Sequence, residues 1–522
     1  MFAFYNKMKC KHTYLDQDKT CPHRAQKGKE LCIWHEEIDQ KDMKGIDAHG
    51  QDLDDAYLVG ANLDGANLEK CSMIHAKLSG ANIEEAKLAG IIAKEADFSK
   101  TQMRKVDLSG SFLKYSNFEG SIMANSDLHN SDLSWVNFNK AIMTGANMQK
   151  SSLLDANLEN TILLNATLFR SIMRGAELNG ADLQIADLRE VDLRGANLKG
   201  SNIRGSNLKD ANLKYSNLEG AILSNSNLQD ADFARAQLKN VYMQGSSMQR
   251  ANLRECDIEN ANLSDANLEN AILRGANMKG ANINNANLHN ADIFNVKVEG
   301  IKNLRYAKID DLIIPERRAD DHRAAREHEE AIKLYDEAMA TYIDLKNYFS
   351  GEGLYGRSGD FYIREWSVKG KLQRTASDLP AEKLKGIRFL RYYLPFSFNR
   401  KNSRFFSLFA KFECWTNWVL NKVLYTVAKY GESPLRVLGT SLSIIMIYSI
   451  IYWIVGGITT GGSGFKASFP ESFYFSAVTF TTLGYGDYQP IPDFQILAIS
   501  EAFIGAFVLA FFVVVVSRKL IR

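Results

Sequence analysis

From Leu53 to Val298 every fifth residue is apolar without a slip: Leu53, Leu58, Leu63, Leu68, Met73, Leu78, Ile83 and onward. Two places before the apolar residue a small one recurs, as in Ala56, Ala61, Ala66, Cys71 and Ala76, and later Ser116, Ser121 and Ser126. Asn, Asp, Lys, Glu and Gly fill most of the places between. A period of five matches neither the turn of a helix nor the alternation of a strand. It fits a coil with flat sides, each side sending one small and one large residue inward. In such a stack each coil contacts only its neighbours.

The units ANLDG, ANLEK and SNLKD resemble the pentapeptide-repeat family, A-(N/D)-L-x-x. The resemblance implies a right-handed quadrilateral β-helix over residues 51–300. With about twelve coils at the roughly 4.8 Å spacing of paired strands, it would be a rod on the order of 60 Å long. Asn62, Asn67 and Asn82, each just before a central residue, are suited to bonding the backbone at the corners. Acidic members of that family mimic duplex DNA. Here 25 basic residues face 31 acidic ones, too even a balance for a continuous anionic face. A rigid spacer or assembly scaffold is expected, with no nucleic-acid partner. Scattered aromatics such as Tyr57, Trp135 and Tyr215 are its points of contrast.

Near the C-terminal end, Thr481-Thr482-Leu483-Gly484-Tyr485-Gly486-Asp487 lies between two long apolar segments and follows an aromatic, helix-compatible run, Ser472 to Phe480. This arrangement resembles the pore module of a potassium channel. Carbonyl oxygens replace the water shell of a potassium ion only if consecutive carbonyls point along one axis. That backbone alternates between ordinary and left-handed conformations, and glycine takes the latter cheaply; Gly484 and Gly486 sit one residue apart. The resemblance implies a filter of Thr482, Leu483, Gly484, Tyr485 and Gly486, with the Thr482 hydroxyl at the inner end. Asp487 and Thr481 would support it, as would an aromatic cuff of Tyr474 and Phe475, and a pore helix over 471–480 would aim its C-terminal end at a central cavity. Potassium channels usually carry Val or Ile where this chain has Leu483. One loop per chain implies a homotetramer holding potassium ions.

The flanking segments, Leu435 to Val455 and Phe494 to Val516, are long enough to cross a bilayer. Lys422, Lys429, Arg436, Arg518, Lys519 and Arg522 flank their outer ends, whereas the hairpin between carries Lys466 against Glu471, Asp487 and Asp493. The positive-inside rule then puts both termini in the cytoplasm. In the second span Glu501 is costly unless it faces protein or water, and a hydrogen bond to the pore-helix region is expected. Gly505 is either a bend point for opening or a close-packing contact. Val513 to Val516 are candidates for an apolar constriction.

Residues 1–50 form a small Cys/His-rich cap. Cys10, Cys21, Cys32 and His35 supply the donor set of a structural zinc site, with His23 an alternative to one cysteine. Its expected role is to close the open end of the β-helix. Six cysteines in 522 residues suit a reducing compartment, and the start, MFAFYNKMKCKH, shows no apolar leader. Residues 301–380 read as an α-helical hairpin connector, weakly similar to one tetratricopeptide-type pair. Over 381–432, basic residues interleaved with aromatics predict an amphipathic juxtamembrane helix lying at the lipid surface. Residues 433–522 are the all-α two-span membrane pore domain.

Together these features predict a multidomain, tetrameric, potassium-selective channel in the inner membrane of a prokaryotic cell. Its repeat domain would gate or scaffold the pore, acting through the first span, with an unidentified cytoplasmic protein or ligand as partner. The alternatives are a membrane-tethered scaffold and a non-selective cation channel. No phosphate loop, nucleophile elbow or paired carboxylates suggest an enzyme.

Overall fold

The computed structural model describes residues 9–14, 20–27, 29–310, 313–379, 403–459 and 467–521, without side-chain detail at 403–411 and 518–521. The chain divides into two compact units, Met1–Ile314 and Pro315–Arg522.

In the first unit residues pair in parallel with those twenty places on, as Asn62 with Asn82 and Asn82 with Gln102. Twenty residues per turn and five per side make a four-sided β-helix. One pentapeptide shows why the coil closes. Leu63 N donates to Asn82 O (2.6 Å), Gly65 N to Glu84 O (2.9 Å), Ala66 N to Leu63 O (3.0 Å) and Asn67 N to Ile46 O (2.8 Å). The remaining amide, Asp64 N, donates to the Asn62 side chain at 3.3 Å. All five backbone donors are paired, as burial demands, and the last is why Asn or Asp recurs before the central residue. Central and small positions are buried, and Phe98, Phe118 and Phe138 stack at 4.7 and 5.2 Å.

The position two after each central residue is left-handed throughout, for example Asp55, Gly60, Gly65 and Lys70. This corner requirement explains the scattered Gly, Asn and Asp of the repeat, since those residues tolerate φ near +60°. The ladder is longer than 51–300. It begins at Asp42 and ends where Asn287 pairs with Lys308, twenty-one places on. Residues Leu304–Tyr306 form a 3₁₀ turn that takes up the extra residue.

The second unit opens with three helices where a two-helix hairpin is expected. α1 (Ile314–Ala324) and α2 (His328–Gly351) are separate, broken at Arg326, whose φ is 64°. α3 (Tyr355–Ser377) runs back along α2, with Phe361 against Phe349 at 5.5 Å and Lys346 bonded to Glu365 at 2.6 Å. Buried Glu316 of α1 accepts from Tyr342 (2.6 Å) and Lys371 (2.8 Å), which locks the three together.

α4 spans Ser403–Ala428. It packs on α3: Asn421 donates to Trp366 O at 2.8 Å and accepts from Tyr430 at 2.6 Å. Cys414, Asn421 and Ala428, seven apart, are buried, while Phe412, Trp415, Leu420 and Val423 are exposed. Much of the basic segment, 380–402, lies outside the described residues, as does Lys466.

Ser433 and Pro434 start α5 (Pro434–Val455), and Gly456 at φ 73° ends it. α6 (Phe469–Phe480) is a short helix within the hairpin. The strands Ile458–Thr459 (β1) and Gln489–Pro490 (β2) pair antiparallel beside it. α7 (Gln495–Ile521) completes the unit. Segments Pro434–Val455 and Pro492–Ser517 are long and apolar enough to cross a membrane.

Candidate ion-conducting site

α6 begins two residues earlier than expected because Glu471 reaches back. Its carboxylate accepts from the Ser468 amide and hydroxyl, each at 2.7 Å, a capping arrangement at the N-terminus. The other carboxylate oxygen accepts from Tyr488 at 3.2 Å. One side chain thus ties the start of α6 to the far side of the Thr481–Asp487 loop, a role the sequence alone does not give Glu471 or Tyr488.

At its other end α6 runs out through Thr481, whose hydroxyl donates to Ala477 O at 2.7 Å. Beyond it, φ is 60° at Thr482, 54° at Gly484 and 79° at Gly486. The alternation expected of the two glycines therefore extends back to Thr482. Because Thr has a Cβ, this place costs about 1–2 kcal/mol that glycine would not. The Thr482 hydroxyl donates to Thr481 O at 2.7 Å. Leu483 and Tyr485 are exposed, as is Asp487, which accepts from the Tyr488 amide at 3.1 Å.

The two cuff aromatics part company. Phe475 is buried against Tyr452 of α5, edge to face at 5.1 Å. Tyr474 points to the loop, with Tyr488 5.8 Å away.

Beside α6, Glu501 of α7 is wholly buried. It accepts from Ser476 of α6 and, at 3.0 Å, from Tyr452 of α5. Three helices meet on one carboxylate, which compensates a group otherwise costly in lipid. One turn on, Gly505 leaves no room for a side chain: a Cβ there would sit 1.9 Å from Phe480 O. Lower on α7, Val515 is buried with Ala428, Val437 and Val508, whereas Val513 and Val514 are exposed.

Phe511, Val514 and Val515 also line a cavity with Trp366, Leu424 and Tyr430 of α3, α4 and the elbow after it. Residues of α3, α4 and the elbow thus share this cavity directly with the C-terminal half of α7.

In the first unit Cys10, Cys21, Cys32 and His35 come together, their ligand atoms within 4.8 Å of one another. Burial pushes the Cys21 thiol up to about 12 and raises Cys32, while it lowers the His35 imidazole. His23 stands apart, bonded to Asp52 O at 2.6 Å.

Residues 440–522 match the ion channel family. Eight copies of the pentapeptide-repeat family match between residues 52 and 300. No curated protein matches the chain. Solved structures similar to it include QnrB1, a plasmid-mediated fluoroquinolone resistance protein (20% identity over 38% of this chain and 91% of that one, TM-score 0.27). Others are HetL, involved in heterocyst differentiation regulation in the cyanobacterium Nostoc (26%, 45% and 89%, TM-score 0.14), and Rfr23 from the cyanobacterium Cyanothece (32%, 23% and 64%, TM-score 0.09). The chain therefore joins a two-span ion channel domain at its C-terminal end to a pentapeptide-repeat β-helix in its N-terminal part.

Proposed function

We propose that four copies of this chain surround a potassium-selective pore, with the carbonyls of Thr482 to Gly486 as the ion ligands. The observation that carries this reading is the left-handed backbone at Thr482, Gly484 and Gly486, alternating with ordinary residues. That alternation turns successive carbonyls toward one side of the strand, the requirement for replacing an ion's hydration shell. A single chain supplies one such row and leaves Leu483 and Tyr485 exposed, so a ring of rows needs further copies. Positive charge outside the spans favours cytoplasmic termini, and the inner membrane of a prokaryotic cell is the expected location.

The cytoplasmic part regulates the pore or positions it. The apolar cavity shared by Trp366, Tyr430, Phe511 and Val514 supports this reading, because a shift of α3 or α4 repacks the inner end of α7.

Purified protein in liposomes with a potassium gradient should give barium-blockable flux from particles of four chains. Replacing Gly484 with Ala should abolish the flux. Equal sodium flux would remove selectivity and leave a cation channel; no flux from well-folded tetramers would favour a membrane-tethered scaffold. Deleting residues 1–310 should change open probability; unchanged gating would refute the regulatory part.

A further inference from the structure

We propose that Cys10, Cys21, Cys32 and His35 bind one zinc ion through three thiolates and the imidazole Nδ1, and that this ion fastens the N-terminal cap to the first coil of the β-helix. All four residues are almost wholly buried. Zinc bound tetrahedrally by sulfur and nitrogen sets sulfurs about 3.8 Å apart and sulfur about 3.5 Å from nitrogen. Cys21 Sγ lies 3.8 Å from Cys32 Sγ. His35 Nδ1 is 3.7 Å from Cys10 Sγ and 3.2 Å from Cys32 Sγ. The sulfurs are too far apart for a disulfide and spaced to share a central ion.

The histidine is held in the required form. Its Nε2 lies 2.8 Å from Asp54 O, and a carbonyl only accepts, so Nε2 carries the proton and Nδ1 offers its lone pair to the cluster. Such an outer bond is the usual partner of a metal-binding histidine. Backbone amides support the sulfurs: His23 N donates to Cys21 Sγ at 3.4 Å and Cys32 N to Cys10 Sγ at 3.3 Å. The other buried coil cysteines behave differently. Cys71 and Cys256 occupy small-residue places and each donates to a single carbonyl, Ala48 O and Phe233 O.

Three bonds tie the cap to the coil. His35 meets Asp54 O, His23 meets Asp52 O at 2.6 Å, and Trp34 O accepts from Tyr57 N at 2.7 Å. Tyr57 N is a ladder donor for which the cap substitutes as an earlier coil. Among its described residues the cap buries few large apolar side chains, chiefly Tyr14, Trp34 and Met43, so metal binding supplies its folding free energy.

Full-length protein, purified without metal-affinity steps, should carry one zinc per chain by elemental analysis. Cys21→Ser and Cys32→Ser should lose it, Cys71→Ser and Cys256→Ser should keep it, and His35→Cys should retain it with four sulfurs. His23→Ala should also keep it, which separates this ligand set from the alternative. Because ligand variants can misfold, wild-type protein is tested as well: a thiol-specific mercurial should release one zinc per chain, and a strong chelator should render the cap protease-sensitive while the coil persists. Absence of zinc from wild-type protein, a Cys21–Cys32 disulfide, or full zinc in Cys32→Ser would overturn the proposal.

Discussion

Gly505 of α7 packs against the carbonyl of Phe480, the last residue of α6, so closely that a Cβ would lie 1.9 Å from its oxygen. Main chain cannot swing aside as a flexible side chain does. Gly505→Ala should therefore displace the end of α6 and the loop that follows, at a cost of about 1–3 kcal/mol or more. Potassium flux should vanish while helix content by circular dichroism stays near wild type. Gly439→Ala, with nothing within 4 Å of its Cβ, is the matched control and should conduct normally.

The carboxylate of Glu501 joins α5, α6 and α7 through Tyr452 and Ser476. Removing one hydroxyl that donates to a buried carboxyl costs about 1–3 kcal/mol. Tyr452→Phe should lower the unfolding temperature of the detergent-solubilised protein by several degrees and keep its assembly. Glu501→Leu should do worse, since both hydroxyls lose an acceptor; an unchanged melting curve would show that the network contributes nothing.

In the β-helix, Phe118 stacks between Phe98 and Phe138. Phe118→Ala should cost about 3–5 kcal/mol. Because stability in a stack is nearly nearest-neighbour, protection from hydrogen exchange should fall in the coils around residues 98–138 and hold near Leu263.

Asp192 is pulled two ways. Burial raises its carboxyl, but bonds from Arg194 (2.8 Å) and Arg174 (2.6 Å) outweigh burial and bring it from 3.8 down to about 2. A carboxylate lowered on folding stabilises above its unfolded value and loses that contribution as pH falls through the folded one. The contribution is full above about pH 4–5 and fades toward pH 2. Asp192→Asn should melt lower than wild type at neutral pH, and the gap should close as the solution approaches pH 2.

Parts of the molecule differ in how openly the sequence announces them. The five-residue period fixes the coil because inward packing and corner geometry are decided within a few residues. Its ends were less legible. Met43 and Ala48 continue the central row toward the N-terminus, but Lys41 and Ile46 stand where small residues belong, which masks a ladder that begins at Asp42. At the far end a 3₁₀ turn with one extra residue carries pairing to Lys308. The Thr481–Asp487 loop shows two of its three left-handed places as glycine and hides the third in Thr482. In the connector, helical spacing ran on through Arg326, although the backbone there turns left-handed and parts α1 from α2.

The repeat coil, the two apolar spans, the loop between them and the cysteines at the start are legible along the chain, because each is written in residues near one another. Packing in three dimensions set that Glu501 meets Ser476 and Tyr452, that Gly505 is pressed against Phe480, that His35 and not His23 joins the cysteines, and that Trp366 and Phe511 line one cavity. Those partners lie far apart in sequence. Which of several chemically suitable groups comes within hydrogen-bond or contact distance is set by how whole helices and coils pack, and no local pattern records it.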